Sequence, residues 1–179
     1  MSKAVFIDRD GTIGGSDKVL YPNDFTPYSF MEKAIKILKE ENYAVYAFTN
    51  QPGISKGEIT KEAFEQELKE YGFDQIYICP HQHEEGCECR KPSPFLLHKA
   101  LSENKLAIEK CIVIGDRWTD MLAAHRVGIR KVLVKTGAGQ RAYDLYKQGA
   151  YFGEYLEVKP EFIAVDLLHA AEWIVRHPK

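Results

Sequence analysis

The stretch AVFIDRDGT, residues 4–12, joins a short apolar run to a polar turn that contains two aspartates. The run AVFI has β-branched and aromatic residues and no polar residue between them, which is typical of a strand covered on both faces. Asp8 and Asp10 follow directly, and carboxylates at positions i and i+2 leave an extended chain on the same side. Because two close carboxylates repel, we expect one to have a raised pKa or both to share a cation. Gly11 lets the chain turn sharply beside them.

Apolar runs alternate with helical patterns along the rest of the chain. The helical pattern after Ser29 begins with a capping-box sequence, SFME, and Ser93 followed by Pro94 marks another helix start. Alternating strands and helices form a parallel sheet with helices on both faces. The sequence therefore predicts an α/β protein with a Rossmann-like, doubly wound, mainly parallel sheet. The other predicted strands are residues 43–48, 76–79, 111–114, 131–134 and 162–165.

The composition argues against several classes of partner. The chain has 179 residues, of which 45% are hydrophobic and 28% charged, with a formal net charge of -2. That length suits one domain over residues 1–179, and a near-neutral chain without a basic run does not favour duplex nucleic acid. No apolar run reaches the roughly 20 residues that span a bilayer, and the first residues show no signal-peptide pattern. We expect a cytoplasmic protein, whose thiols stay reduced, and a monomer.

Polar residues follow each of the predicted strands. In open α/β sheets ligands bind at the carboxyl ends of the strands. Thr49 and Asn50, the Gly115-Asp116 pair and residues 135–137 should therefore meet the two aspartates at one edge of the sheet. Asp116 adds a third carboxylate, and three oxygen ligands with room for water suit Mg²⁺ better than zinc.

Each of these residues also has a purely structural interpretation. The DRDGT sequence alone is as typical of a turn with a capping aspartate, Thr49 and Asn50 are common where strands end, and Asp116 is a good N-cap. Lys91, ahead of a new helix, is either a solvated loop lysine or a partner for a phosphoryl oxygen. The convergence of these residues on one edge favours the functional interpretation.

The stretch CPHQHEEGCECRKP, residues 79–92, holds three of the chain's four cysteines. Three thiolates and one imidazole form a closed tetrahedral set for structural zinc, whereas a catalytic zinc needs an open position. The C-x-x-C spacing of a redox pair is absent. We predict a zinc-binding loop inserted at residues 79–92, with His83 as an alternative imidazole. The predicted ligands are Cys79, His81, Cys87 and Cys89.

Taken together, these residues resemble the four motifs of haloacid dehalogenase-like phosphohydrolases. In order, DRDGT is similar to the first, Thr49 with Asn50 to the second, Lys91 to the third, and GDRWTD, residues 115–120, to the fourth. TNQPGI followed by CPH and CECRKP further resembles one branch of that family, subfamily IIIA. The branch holds histidinol-phosphate phosphatases and D-glycero-D-manno-heptose 1,7-bisphosphate 7-phosphatases, and it has a minimal cap and a zinc-binding loop. Beyond Gly137 the resemblance is only general.

The resemblance implies catalysis through an aspartyl-phosphate. Asp8 would be the nucleophile, and Asp10 the general acid and then the general base. Mg²⁺ would lie between the Asp8 carboxylate, the Asp10 backbone carbonyl, Asp116 and the phosphate. Thr49 and Lys91 would stabilise the phosphoryl oxygens. The implied substrate contacts are Asn50, Arg90 and Arg117.

The sequence thus predicts a Mg²⁺-dependent phosphatase of carbohydrate metabolism that acts on a small phosphorylated metabolite, such as heptose 1,7-bisphosphate. Histidinol phosphate and a polynucleotide 3′-phosphate are alternative substrates, and the net charge argues against the second. An inactive zinc-loop binding module is an alternative from another class, and the intact motif residues argue against it. The chain departs from the heptose phosphatases in residues 14–24, in a shorter 49–79 segment, in Arg117 where they have lysine, and in residues 140–160.

Overall fold

A single six-stranded parallel sheet forms the centre of the molecule. The structure, a computed structural model, describes residues 2–178. All the strand pairs are parallel, and the strand order is β3-β2-β1-β4-β5-β6. The order changes direction at β1, which pairs with both β2 and β4, and this is the kind of position where open α/β sheets bind ligands. The strands are β1 (Ala4–Ile7), β2 (Ala44–Asn50), β3 (Gln75–Cys79), β4 (Ile112–Gly115), β5 (Arg130–Val134) and β6 (Phe162–Ala164).

Helices cover both faces of the sheet. Neighbouring residues of β1 point to opposite faces, so that Val5 and Ile7 lie in one hydrophobic core and Ala4 and Phe6 in the other. The first core is closed by α1, α2 and α6, and the second by α3, α4 and α5. This arrangement confirms the predicted doubly wound fold. The helices are α1 (Met31–Glu40), α2 (Lys61–Glu70), α3 (Phe95–Glu103), α4 (Trp118–Val127), α5 (Gly139–Lys147) and α6 (Leu167–Arg176).

The predicted helix starts differ in detail from the observed ones. The capping box at Ser29 is wrong, because Phe30 occupies the N-cap position of α1 without a side-chain hydrogen bond. The preceding turn provides an acceptor for the first backbone N–H of the helix instead, since the Met31 N–H donates to the carbonyl of Tyr28. At α3 the predicted start is off by one residue, because Pro94 and not Ser93 occupies the N-cap position, although the Ser93 hydroxyl accepts from the Phe95 N–H at 3.2 Å.

Irregular segments and short 3-10 turns occupy the carboxyl edge of the sheet. Residues 8–30, between β1 and α1, form turns and isolated bridges without a helix. The connection from β3 to α3 carries the cysteine-rich loop with a 3-10 turn at His83–Glu85. These connections agree with the minimal cap that was predicted. Among the helices described, none is both long and apolar enough to span a bilayer.

Candidate active site

The Lys91 ammonium group lies at the bottom of a pocket at the carboxyl edge of the sheet. Its Nζ donates to Asp8 Oδ1 at 2.8 Å and to the Phe48 carbonyl at 2.7 Å, and it lies 2.6 Å from Asp120 Oδ1. Burial opposes the charge on Lys91, but the neighbouring Asp120 and Asp8 carboxylates raise its pKa overall. The solvated loop lysine is therefore the wrong interpretation. Asp120, to which the sequence assigned no role, is fully buried beside it.

Three buried carboxylates cluster around this lysine. Asp8, Asp116 and Asp120 each place an oxygen within 4.8 Å of the others. Asp116 Oδ2 accepts from the Ala138 N–H at 2.7 Å, while its Oδ1 is buried without a hydrogen-bond partner. Burial and the nearby Asp8 and Asp120 charges raise the pKa of Asp116 to about 8. A free carboxylate oxygen among like charges fits an oxygen-ligated cation such as Mg²⁺.

Asp116 follows β4 but does not cap α4. Arg117 is the N-cap residue, and its N–H donates to Asp120 Oδ2 at 3.0 Å. Two glycines give Asp116 its space, because a Cβ on Gly137 would lie 2.3 Å from Asp116 Oδ2 and one on Gly11 only 2.2 Å from it. The N-cap interpretation of Asp116 is thus wrong, and its carboxylate faces the aspartate cluster.

Asp10 lies beside this cluster and has its own set of donors. Its Oδ1 accepts from Arg9 Nη1 at 2.8 Å and from the Leu20 N–H at 3.0 Å, and its Oδ2 accepts from Gln51 Nε2 at 2.7 Å. Burial raises the pKa of Asp10, the Arg9 charge opposes that rise, and Asp8 adds a smaller increase. A carboxyl with a raised pKa keeps its proton to a higher pH than a free aspartate does, which favours a role as proton donor. The pKa of one aspartate of the pair is raised, as expected, but the main cause is burial and not repulsion between the two carboxylates.

Arg9 joins Asp10 to a buried glutamate on α2. The guanidinium is fully buried and bidentate, with Nε 2.7 Å from Glu67 Oε2 and Nη2 2.8 Å from Glu67 Oε1. It also lies over the ring of Phe25, 3.8 Å from the centroid. The sequence pattern gave no sign of this pair, since charged residues on an amphipathic helix usually face solvent.

The remaining predicted residues line the walls of the same pocket, which has a volume of about 350 Å³. Thr49 Oγ1 accepts from Gln51 Nε2 at 2.9 Å, and Asn50 Oδ1 accepts from the Lys91 N–H at 3.2 Å. Arg90 Nη1 donates to the His81 carbonyl at 3.1 Å. The structure brings all the predicted catalytic and substrate-binding residues into this pocket, namely Asp8, Asp10, Thr49, Asn50, Arg90, Lys91 and Arg117.

The predicted zinc ligands also come together. Cys87 Sγ lies 3.6 Å from Cys79 Sγ and 3.7 Å from Cys89 Sγ. His81 Nδ1 lies 3.3 Å from Cys89 Sγ and 3.8 Å from Cys79 Sγ. Zn–S bonds of about 2.3 Å in a tetrahedron place the sulfur atoms about 3.8 Å apart, so the cluster fits zinc. His83 lines the pocket, and the structure places His81 in the cluster.

The fold and the pocket together define an open α/β protein with buried carboxylates clustered at the carboxyl edge of its sheet. The chain belongs to the haloacid dehalogenase-like hydrolase family. A sequence model of that family matches residues 17–128, and a second, described as HAD-hydrolase-like, matches residues 88–170. Those ranges include the motifs after β2, β3 and β4, in agreement with the resemblance noted from the sequence.

Curated relatives carry one activity in their names. The chain is 38% identical over 146 residues to a D-glycero-β-D-manno-heptose-1,7-bisphosphate 7-phosphatase of Helicobacter pylori, covering 75% of the chain and 84% of the relative. It is 34% identical over 183 residues to the enzyme of that name from Pasteurella multocida, covering 91% and 97%. A Campylobacter jejuni relative, 33% identical over 168 residues and covering 88% and 92%, is named for the α anomer.

A solved structure agrees with these relatives over nearly the whole chain. The heptose bisphosphate phosphatase of B. bronchiseptica, in complex with magnesium and phosphate, superimposes with a TM-score of 0.80 at 27% identity. The match covers 97% of this chain and 98% of that one. The present chain is therefore a phosphatase.

Proposed function

We propose that this phosphatase removes the 7-phosphate from D-glycero-D-manno-heptose 1,7-bisphosphate with bound Mg²⁺. The observation that carries the proposal is the buried contact of Lys91 with Asp8 and Asp120, at the bottom of a pocket whose rim holds Arg90 and Arg117. The floor suits one phosphate that reacts. Two guanidinium groups at the rim suit a second phosphate on the same small molecule.

Asp8 is the proposed nucleophile and Asp10 the proton carrier. Lys91 holds Asp8 Oδ1 at 2.8 Å, which orients the carboxylate for attack on phosphorus through its other oxygen. As the new Asp8–phosphorus bond forms, the bond to the sugar oxygen breaks and Asp10 donates its proton to that oxygen. Asp10 then takes a proton from water, which attacks the aspartyl-phosphate and releases phosphate with Asp8 restored.

The remaining groups stabilise charge. Thr49, Asn50 and Lys91 are the proposed donors to the phosphoryl oxygens, whose negative charge is spread out in the transition state. Asp8, Asp116 and the backbone carbonyl of Asp10 are the proposed ligands of Mg²⁺, which neutralises part of that charge when it is bound. The buried contacts of Lys91 with Asp8 and Asp120 are already formed, so they need little rearrangement during the reaction.

We also propose that structural zinc at the cysteine cluster fixes the position of the rim. The last ligand, Cys89, directly precedes Arg90 and Lys91, and Arg90 donates to the backbone of the ligand His81. Zinc-bound thiolates must stay reduced, which favours the cytoplasm as the compartment. Residues 1–179 are proposed to form one phosphatase domain that works as a monomer.

A Cys87→Ser variant is expected to lose zinc and to melt lower by about 5 °C or more, because metal binding and folding are coupled. The KM for the substrate should rise as the loop with Arg90 loosens. Zinc content by atomic absorption, thermal unfolding and steady-state kinetics measure these effects. A Cys111→Ala variant is the matched control, since Cys111 lies outside the cluster and should keep the wild-type zinc content. Zinc loss with unchanged melting and KM would refute the bracing role.

The substrate proposal is tested by phosphate release from a panel, with Mg²⁺ and after chelation. The panel contains both anomers of the heptose bisphosphate, histidinol phosphate and a 3′-phosphorylated oligonucleotide. The expected result is the highest kcat/KM for one heptose anomer and loss of activity after chelation. A higher kcat/KM for histidinol phosphate or the oligonucleotide rejects the heptose proposal. The absence of release from every compound would favour a binding module.

A further inference from the structure

An aromatic segment forms one side of the pocket entrance. It follows α5, contains a 3-10 turn at Gly153–Glu157, and places Tyr155 on the lining of the catalytic pocket. Its rings form a ladder against α4. Tyr151 stacks on Trp118 with centroids 4.5 Å apart and planes at 10°, and Tyr155 follows at 6.2 Å and 22° from Tyr151.

This segment is anchored on both sides of the pocket. Trp118 Nε1 donates to the Tyr155 carbonyl at 3.1 Å, and Val158 is fully buried in the core. Arg126 on α4 links the two sides, since its Nε donates to Glu154 Oε1 and its Nη1 to the Pro92 carbonyl, both at 2.9 Å. These contacts fix the position of Tyr155 relative to the loop that carries Lys91.

The chemistry of Tyr155 differs from that of the rest of the entrance. Arg90 and Arg117 offer charge to an anionic group, whereas the Tyr155 side chain is a phenol, with an aromatic ring and one hydroxyl. A ring sugar has an apolar face of C–H groups that packs on such a surface, with hydroxyls at its edge. Pockets for small ligands commonly combine apolar and aromatic walls with a few polar groups.

We infer that Tyr155 determines specificity, as the platform on which the ring of a sugar phosphate packs while its phosphate lies at Asp8. The inference rests on the proposed function and names the residue that selects ring sugars over acyclic phosphates. In a family member with a minimal cap, this anchored segment supplies the contact to the leaving group.

The test compares heptose 1,7-bisphosphate with acetyl phosphate, which has no ring. Tyr155→Ala is expected to raise the KM for the heptose about fivefold to tenfold, with kcat within about twofold, and to leave kcat/KM for acetyl phosphate unchanged. Tyr155→Phe should retain most of the wild-type KM, and Tyr155→Leu, which keeps bulk without a flat ring, should resemble the alanine variant. Thermal unfolding checks that each variant is folded.

Phe152→Ala is the matched control, because Phe152 belongs to the same segment but is 78% exposed and does not line the pocket. It should leave both substrates unaffected. Equal losses of kcat/KM for both substrates in Tyr155→Ala, or a leucine variant as good as wild type, would overturn the role of Tyr155 alone. A wild-type enzyme that hydrolyses acetyl phosphate and no ring sugar phosphate would overturn the proposed function together with this inference.

Discussion

An Asp8→Asn variant is expected to lose phosphate release by on the order of 10⁴-fold or more while it remains folded. The amide has nearly the same size as the carboxylate and can still accept from Lys91, so the pocket floor should persist. It lacks the negative oxygen that attacks phosphorus. Single-turnover phosphate release measures the loss, and thermal unfolding checks the fold. Mass spectrometry after an acid quench should find phosphate on the Asp8 peptide of the wild type and none on that of the variant.

Asp24→Asn is the control for this experiment. Asp24 is an exposed carboxylate in the same connection between β1 and α1, and its replacement should leave the rate unchanged. The nucleophile assignment is wrong if Asp8→Asn keeps more than about one hundredth of the wild-type rate, or if the phosphorylated peptide carries a different aspartate.

The free energy of unfolding of an Arg9→Met variant is expected to be about 3–5 kcal/mol lower than that of the wild type. The reason is that Glu67, which is bidentate to Arg9 and buried, would keep a charge without a partner. Adding Glu67→Leu should recover much of the loss, because an apolar pair of similar volume can replace a buried ion pair. Urea denaturation of the single and double variants, analysed as a double-mutant cycle, measures this coupling.

A surface pair on the same helix provides the comparison. Lys61 and Glu65 on α2 form an i,i+4 pair at 3.1 Å, with 49% and 30% of their side chains exposed. Lys61→Met should change the free energy of unfolding by less than about 0.5 kcal/mol. If Arg9→Met is no more harmful than Lys61→Met, the buried pair is not a structural determinant. The Arg9→Met/Glu67→Leu double variant should still release phosphate slowly even when it is stable, because Asp10 has lost the Arg9 donor.

The sequence predicted the parallel sheet and much of the pocket for a definite physical reason. Strands buried on both faces appear as continuous apolar runs, and the predicted runs 4–7 and 76–79 lie within one residue of β1 and β3. Once the strands are placed, the residue that follows each of them is directed to one edge. Asp8, Thr49 and Asp116 were found in that way, and the structure brings them into one neighbourhood.

The groups that the sequence did not predict depend on contacts that no local pattern shows. Arg9 and Glu67 are 58 positions apart, and each by itself resembles an exposed charge. Gln51 donates a hydrogen bond to Asp10, although the two residues are 41 positions apart in the sequence. Tyr155 lies in an irregular segment, where neither a helical nor a strand period indicates which side chains face the pocket. Long-range pairing of polar side chains therefore limits what a single sequence predicts about this site.

The strand order has a consequence for redesign of the enzyme. The carboxylates that follow β1 and β4 lie on adjacent central strands, whereas the Arg90 loop leaves the edge strand β3 and the Tyr155 segment leads into the opposite edge strand β6. The proposed substrate contacts Arg90 and Tyr155 are therefore carried by two peripheral cassettes, one on either side of the central carboxylates. Grafting these cassettes between related phosphatases offers a route to new substrate ranges without rebuilding the chemistry.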